Sequence, residues 1–300
     1  MNVIEAEGLC KRYPGSVGGL FNFSITMSAG EATAIVGPNG SGKSTLFKSM
    51  LGLVKLDGGT VRLFGQRPTG RGRSVLSRVG ALLEGRANIY ERLSTAENCD
   101  YYCALRGAVL DRFYMRALAD RLGLEDLRVP VRRLSTGNRQ RAALLCAMVH
   151  QPTLVMLDEP TLGLDRAGVL AFQDLLREQQ QAGLSILTTS HDADFVAATA
   201  DRVIGMMGGR CDFDRETCQH AGSPRRYRLQ TAAINPLPSD VLATLCESES
   251  FAEQVRRLQE LARLYPDLYR ASIQPVPDIE ADCAFEEENG GRNQCRKSMR

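Results

Sequence analysis

No run of apolar residues in this 300-residue chain approaches the length of about 18 needed to cross a bilayer, the longest being Ala142 to Val149. The start, Met1-Asn2-Val3-Ile4-Glu5, lacks a basic segment followed by an apolar one, so no secretory signal is expected. The nine cysteines include no CxxC pair. Cys99 and Cys103 share one helical face, but no His or second Cys pair completes a zinc set. They read as reduced, small, mostly buried side chains of a cytoplasmic protein. An excess of one charge is also missing: 37 basic residues stand against 35 acidic ones, for a net charge of +2. That balance excludes a chain whose main work is wrapping nucleic acid. Only five of the basic residues are lysine, the mark of an arginine-favouring composition. No internal repeat is present, so the chain holds one copy of its functional unit. With 43% hydrophobic and 24% charged residues, it is long enough for one large domain or two modest ones.

The order of patterns points to an α/β architecture. Val3 to Glu7 and Phe21 to Met27 alternate as half-buried strands do, and Thr60 to Gly65 repeats the pattern. Ala32 to Val36, Leu154 to Leu157 and Ser185 to Thr189 are continuous apolar or small runs, the signature of strands covered on both faces. From Ala87 to Leu134 helical spacing takes over, with helices predicted over Thr95 to Leu105 and Asp111 to Leu122, and a further amphipathic helix spans Ala167 to Gln181. Composition shifts near residue 220, where His220 to Pro224 reads as a linker. Beyond it lie strand-like segments at Arg226 to Gln230 and Leu268 to Ile273, a helix near Ser250 to Leu264, and a polar end from Glu286 to Arg300 that reads as disordered.

The sharpest local signal is Gly37-Pro38-Asn39-Gly40-Ser41-Gly42-Lys43-Ser44-Thr45, directly after a buried strand and before a helical run from Leu46. The spacing G-x-x-x-x-G-K-[ST] in that context is a phosphate-binding loop. Its glycines let successive N–H groups face one phosphate, Lys43 neutralises the β- and γ-phosphates, and Ser44 offers its hydroxyl to Mg²⁺. Such a loop needs a carboxylate from a neighbouring strand. Leu154 to Leu157 ends in Asp158-Glu159-Pro160, which supplies Asp158 to hold Mg²⁺ and Glu159 to polarise an attacking water.

Together with these, Leu134-Ser135-Thr136-Gly137-Asn138 and the following Arg139-Gln140-Arg141 resemble the signature sequence of the nucleotide-binding domain of ATP-binding cassette transporters. Gly163-Leu164-Asp165 resembles that family's D-loop, and Thr189-Ser190-His191-Asp192 its switch-histidine segment. The resemblance covers residues 1 to 220. It implies that Tyr13 stacks on adenine, that His191 touches the γ-phosphate and braces Glu159, and that Ser135 and Gly137 face the γ-phosphate of ATP held by a second cassette. Thr136 and Asn138 stand where Gly and Gln are commoner in the signature, and Glu84 stands where many relatives place a glutamine near Mg²⁺. The segment from Val79 through Glu84 to Asn98 looks like the bacterial drug, antibiotic and bacteriocin exporter branch, and Pro277 to Phe285 looks like a degraded version of that branch's C-terminal extension.

The implied fold is a P-loop ABC-type nucleotide-binding domain: a RecA-like mixed sheet core, an N-terminal antiparallel β subdomain, and a helical subdomain over about 87–134. A small α+β extension would occupy 221–285 and a tail 286–300. The implied activity is ATP hydrolysis that powers a membrane exporter through separate permease subunits. ATP and Mg²⁺ are the expected ligands, and a homodimer or a homologous ATP-binding subunit the expected assembly. No nucleic acid partner is expected, and the place of work is the inner face of the cell membrane. Tyr90, Tyr101 and Tyr102 mark a permease contact or, equally, core packing of the helical part. The alternatives are an import ATPase, a soluble cassette protein of DNA repair or translation, and a regulator that binds nucleotide without hydrolysing it.

Overall fold

The computed structural model describes residues 1–15, 18–83 and 89–216, and the backbone of 227–233 and 269–275. The chain opens with β1 (Asn2–Arg12) and β2 (Gly19–Ser28), antiparallel partners. It enters β3 (Ala32–Val36), passes through the glycine-rich loop into α1 (Lys43–Met50), and returns as β4 (Gly58–Leu63) on the free side of β1. A 3₁₀ segment (Gly70–Arg78) leads to β5 (Val79–Leu82), followed by α2 (Thr95–Leu105), α3 (Arg112–Arg121) and α4 (Thr136–Met148). Then come β6 (Leu154–Asp158), α5 (Arg166–Gln181), β7 (Ser185–Thr189), α6 (Ala193–Thr199), β8 (Arg202–Met207) and β9 (Arg210–Glu216).

Two sheets result. One is antiparallel, in the order β2-β1-β4; the other has six strands in the order β5-β6-β7-β3-β8-β9. Its first five strands pair in parallel and only β9 runs against its neighbour. All five residues of β3, of β6 and of β7 are buried, because cores lie on both faces of this sheet. On one face Leu46, Phe47 and Met50 of α1 join Leu9, Phe23 and Leu63 of the antiparallel sheet and Ile35, Met156 and Leu187 of the large one. On the other, α2 to α5 pack around Leu144, Leu145, Phe172, Leu176 and Val155. Gly80 lets α4 lie directly on β5: a Cβ there would stand 2.0 Å from the Ala147 carbonyl oxygen.

Caps fix where the helices start. Ser94 and Glu97 form a reciprocal capping box on α2, and the side chains of Asp111, Ser135, Asp165 and Asp192 accept N–H groups at the starts of α3, α4, α5 and α6. Two elements run longer than their patterns suggest. β1 continues to Arg12 through a register shift near Gly8 (φ 59°), which breaks the alternation after Glu7. Helix α1 begins at Lys43 and not at Leu46, since its first turn is the polar end of the phosphate loop itself. Past residue 226, β10 (Tyr227–Ala233) and β11 (Tyr269–Pro275) pair antiparallel and overlap the two strand-like segments expected there. The expected helix at 250–264, the segment 277–285, the tail 286–300 and the boundary at 220 lie outside the described residues.

At the end of α4, burial, reinforced by the nearby Arg106 guanidinium, pushes the His150 imidazole down from 6.5 to about 4. The folded protein therefore keeps His150 neutral where the unfolded chain takes up a proton. The stability that His150 contributes is fully present above about pH 6.5 and is lost progressively as pH falls towards about 4. His150→Gln should flatten that part of the stability profile by up to ~3 kcal/mol. Urea unfolding of parent and variant at pH 7, 5.5 and 4.5 would measure it.

Candidate functional site

The phosphate loop is held by backbone crowding. Gly42 has φ 107°, and a Cβ on it would stand 2.5 Å from the Gly19 carbonyl oxygen and 2.9 Å from the Met206 methyl carbon. The turn between β8 and β9 closes over the loop. Gly208 and Gly209, both at positive φ, form that turn; the Gly209 N–H donates to the Ser41 carbonyl at 2.8 Å, and the Phe21 N–H donates to the Gly209 carbonyl at 2.8 Å. Inside the loop, the Lys43 ammonium donates to the carbonyls of Gly37 (2.8 Å) and Pro38 (3.2 Å). The buried Ser41 hydroxyl has no hydrogen-bond partner among the described residues. A cation and the N-terminus of α1 beside one concavity suit a phosphate group.

Facing this loop are the ends of β6 and β7. Asp158, 2% exposed, accepts from the Thr189 hydroxyl at 2.6 Å. Glu159 follows in the left-handed region, with φ 51°. That strained conformation is held where its N–H donates to the Thr189 hydroxyl (3.0 Å) and carbonyl (3.2 Å). His191 stands against the Glu159 carboxylate. Its backbone N–H reaches Oε2 and its Nε2 reaches Oε1, each at 3.2 Å. Tyr13, Asn39, Gly40, Gly42, Lys43, Ser44, Thr45, Glu159 and His191 thus line one cleft of about 370 Å³, a size suited to a small ligand. At its outer edge the Lys11 ammonium lies 5.5 Å from the centre of the Tyr13 ring. Asp57 steadies that edge, accepting from the Arg12 N–H (2.7 Å) and from Lys11 (3.2 Å), contacts that hold its carboxyl below the usual range.

Ser135 and Gly137 do not line this cleft. Ser135 is exposed at the start of α4, where its hydroxyl accepts the Asn138 N–H at 3.2 Å. The same helix is nevertheless tied to the β6 exit. The Gln140 side-chain amide donates to the Pro160 carbonyl (3.0 Å), and Arg141 pairs at 2.8 Å with Asp165, the cap of α5. Glu84 lies outside the described residues. Among the described residues no three His, Cys, Asp or Glu side chains gather to hold a metal. Magnesium asks for less: one or two protein oxygens, with phosphate oxygens and water completing the shell. Ser44 and Asp158 provide that donor chemistry.

Three groups here have contacts that no motif reveals. Thr189 opens the segment resembling the switch histidine, yet nothing in that segment says that its hydroxyl joins Asp158 to Glu159. Arg141 ends the signature-like run, yet nothing there says that it pairs with Asp165. The Gly208-Gly209 turn is a standard hairpin signal, yet nothing local says that it closes on a loop more than 160 residues earlier.

Comparison with known proteins bears on this geometry. A family model described as ABC transporter matches residues 20–162. The chain is 35% identical over 216 residues to a cobalt import ATP-binding protein of Rhodobacter capsulatus, across 69% of this chain and 76% of that one. It is 31% identical to a fluoroquinolones export ATP-binding protein of Mycobacterium tuberculosis, across 76% of each. Its fold matches that of a bacterial ABC transporter cassette solved as a dimer, with a TM-score of 0.66, 22% identity, and coverage of 71% of this chain and 98% of that one.

Two substitutions separate phosphate contacts from base contacts. Lys43→Ala should weaken binding of both ATP and inorganic tripolyphosphate by about tenfold or more, since a charge-assisted contact is lost in each. Tyr13→Ala should weaken ATP several-fold and leave tripolyphosphate unchanged. Competition against a fluorescent nucleotide would read both.

Proposed function

Because the chain belongs to the ABC transporter family, as an ATP-binding subunit that hydrolyses ATP for transport, we propose that it drives an exporter of the drug, antibiotic or bacteriocin type. The observation that carries the chemistry is the convergence of Lys43, Ser44, Glu159 and His191 on one cleft. In this reading Tyr13 stacks on adenine, and the loop from Gly37 to Thr45 cradles the β- and γ-phosphates with Lys43 as their cation. Ser44 and Asp158 hold magnesium, with Glu84 as a further acid near it. A magnesium ion there supplies positive charge against the phosphate oxygens.

Glu159 takes the proton of the attacking water. The His191 N–H donates to one carboxylate oxygen and the imidazole stands 3.2 Å from the other, so the base is oriented before the γ-phosphate arrives. His191 also reaches the γ-phosphate. Ser135 and Gly137 do not line their own cleft and in this reading serve the nucleotide of a second cassette, so the working unit has two cassettes with ATP between them. A homodimer is the simplest such assembly, and the dimeric form of the bacterial cassette of the same fold supports it. No helix among the described residues is long and apolar enough to cross a membrane, and the pathway belongs to permease subunits that dock on the helical subdomain, with Tyr90 and Tyr101 at the contact. The chain then works at the cytoplasmic face of the membrane.

Export rests on the likeness of the segment from Val79 to Asn98, and of Pro277 to Phe285, to the exporter branch. The similarity to a cobalt import protein favours a second reading, an importer. Inside-out vesicles carrying the chain and its permease distinguish the two: ATP-dependent accumulation of substrate inside them supports export, and accumulation only in right-side-out vesicles selects import.

Glu159→Gln keeps the side chain's shape and removes the base, so turnover should fall by about 10²-fold or more. ATP should remain bound and shift the protein from monomer to dimer in sedimentation. Ser135→Arg placed in the same chain should abolish that shift. A strictly monomeric protein that hydrolyses ATP at full rate with its permease present would overturn the two-cassette reading.

A further inference from the structure

The central strand β7 separates the two parts of the cleft. Thr189, its last residue, is in register with Asp158 of β6 on one side and with Ile35 of β3, two residues before Gly37, on the other. It is completely buried. Its hydroxyl has a single proton, which goes to Asp158 Oδ1 at 2.6 Å, and that choice leaves a lone pair towards the Glu159 N–H at 3.0 Å. The result is a directed chain from the Glu159 N–H through the Thr189 O–H to the Asp158 carboxylate, in which each bond strengthens the next. Neighbouring Thr188 is also buried, but its one hydroxyl proton is shared between the carbonyls of Leu157 (3.1 Å) and Thr189 (3.2 Å) and goes to neither acid.

We infer that Thr189 is a positioning residue for ATP hydrolysis, whose hydroxyl orients the Asp158 carboxylate for the metal and locks Glu159 into its left-handed backbone conformation. The inference rests on the roles given above to Asp158 and Glu159. One side chain thereby ties the geometry of the metal ligand to the geometry of the base. A serine keeps this function; a valine keeps the branched shape and the strand preference while removing the hydroxyl.

The test compares Thr189→Val with Thr189→Ser in the full chain. For Thr189→Val, kcat should fall about tenfold or more with KM for ATP little changed, as is usual when a group behind a metal ligand is removed. Mn²⁺ binding in the presence of a non-hydrolysable ATP analogue, followed by electron paramagnetic resonance, should weaken by a similar factor. In EDTA, affinity for the same analogue should be unchanged. Thr189→Ser should recover most of kcat and of the Mn²⁺ affinity. Parent-like kcat and Mn²⁺ affinity in a folded Thr189→Val protein would overturn the inference, as would equal losses in both variants, which would trace the effect to the methyl group. Should Thr189→Val fail to fold, Thr189→Ala makes the same comparison. A parent that binds Mn²⁺ and nucleotide without turnover would overturn the reaction assigned above, while the Mn²⁺ comparison would still decide the role of Thr189.

Discussion

Three stretches of backbone, at Gly19, at Ser41-Gly42 and at Met206 to Gly209, meet so closely that a side chain at Gly42 would collide with main chain. That crowding shapes the nucleotide cleft. Because the loop cannot widen, its N–H groups stay curled towards a single point, and the Lys43 ammonium has loop carbonyls within reach. The β8–β9 turn holds the crowded loop from above and β2 holds the turn. The loop is thus clamped by elements from both ends of the described chain, and its conformation is set when the two sheets come together.

A second set of contacts joins the start of α4 to the exit of β6 and the start of α5. Gln140 reaches the Pro160 carbonyl and Arg141 reaches Asp165, while a Cβ on Gly137 would lie 2.9 Å from the Gly163 carbonyl oxygen. Pro160 is the residue after Glu159, so the segment carrying Ser135 and the segment carrying Glu159 share a boundary. A displacement of α4 along its axis would be felt one residue from Glu159. The Arg141–Asp165 pair is only partly shielded from water, so its energetic share is modest. Its directional share, as a tether between two loops, is the larger one.

Much of this was legible in the residues. The runs Ala32 to Val36 and Ser185 to Thr189 coincide with β3 and β7, because a strand buried on both faces has no other pattern to show. Helix α2 coincides with its predicted span since Ser94 and Glu97 mark its start. The elements not read, β5, β8, β9 and α6, are short, and their burial depends on neighbours distant in sequence. Gly205, for example, sits in β8 only because the Phe213 ring of β9 occupies the space a side chain would need. At the cleft, residues with a local motif were found by spacing. The contacts of Thr189 and of the Gly208-Gly209 turn were not, since they are set by sheet order, and sheet order is not written in any window of sequence.

The aromatic cluster beside the start of α2 has a consequence for whatever docks there. Tyr90 and Tyr101 are 50% and 40% exposed, yet their rings meet edge to face at 4.9 Å and their hydroxyls are 3.2 Å apart. Asn98, buried beneath them, bonds to both the N–H and the carbonyl of Tyr90. The rings therefore stand in water already ordered, having given up their torsional freedom when the domain folded. A partner that covers them removes apolar area from water without having to freeze the side chains first, so more of the contact energy survives as affinity.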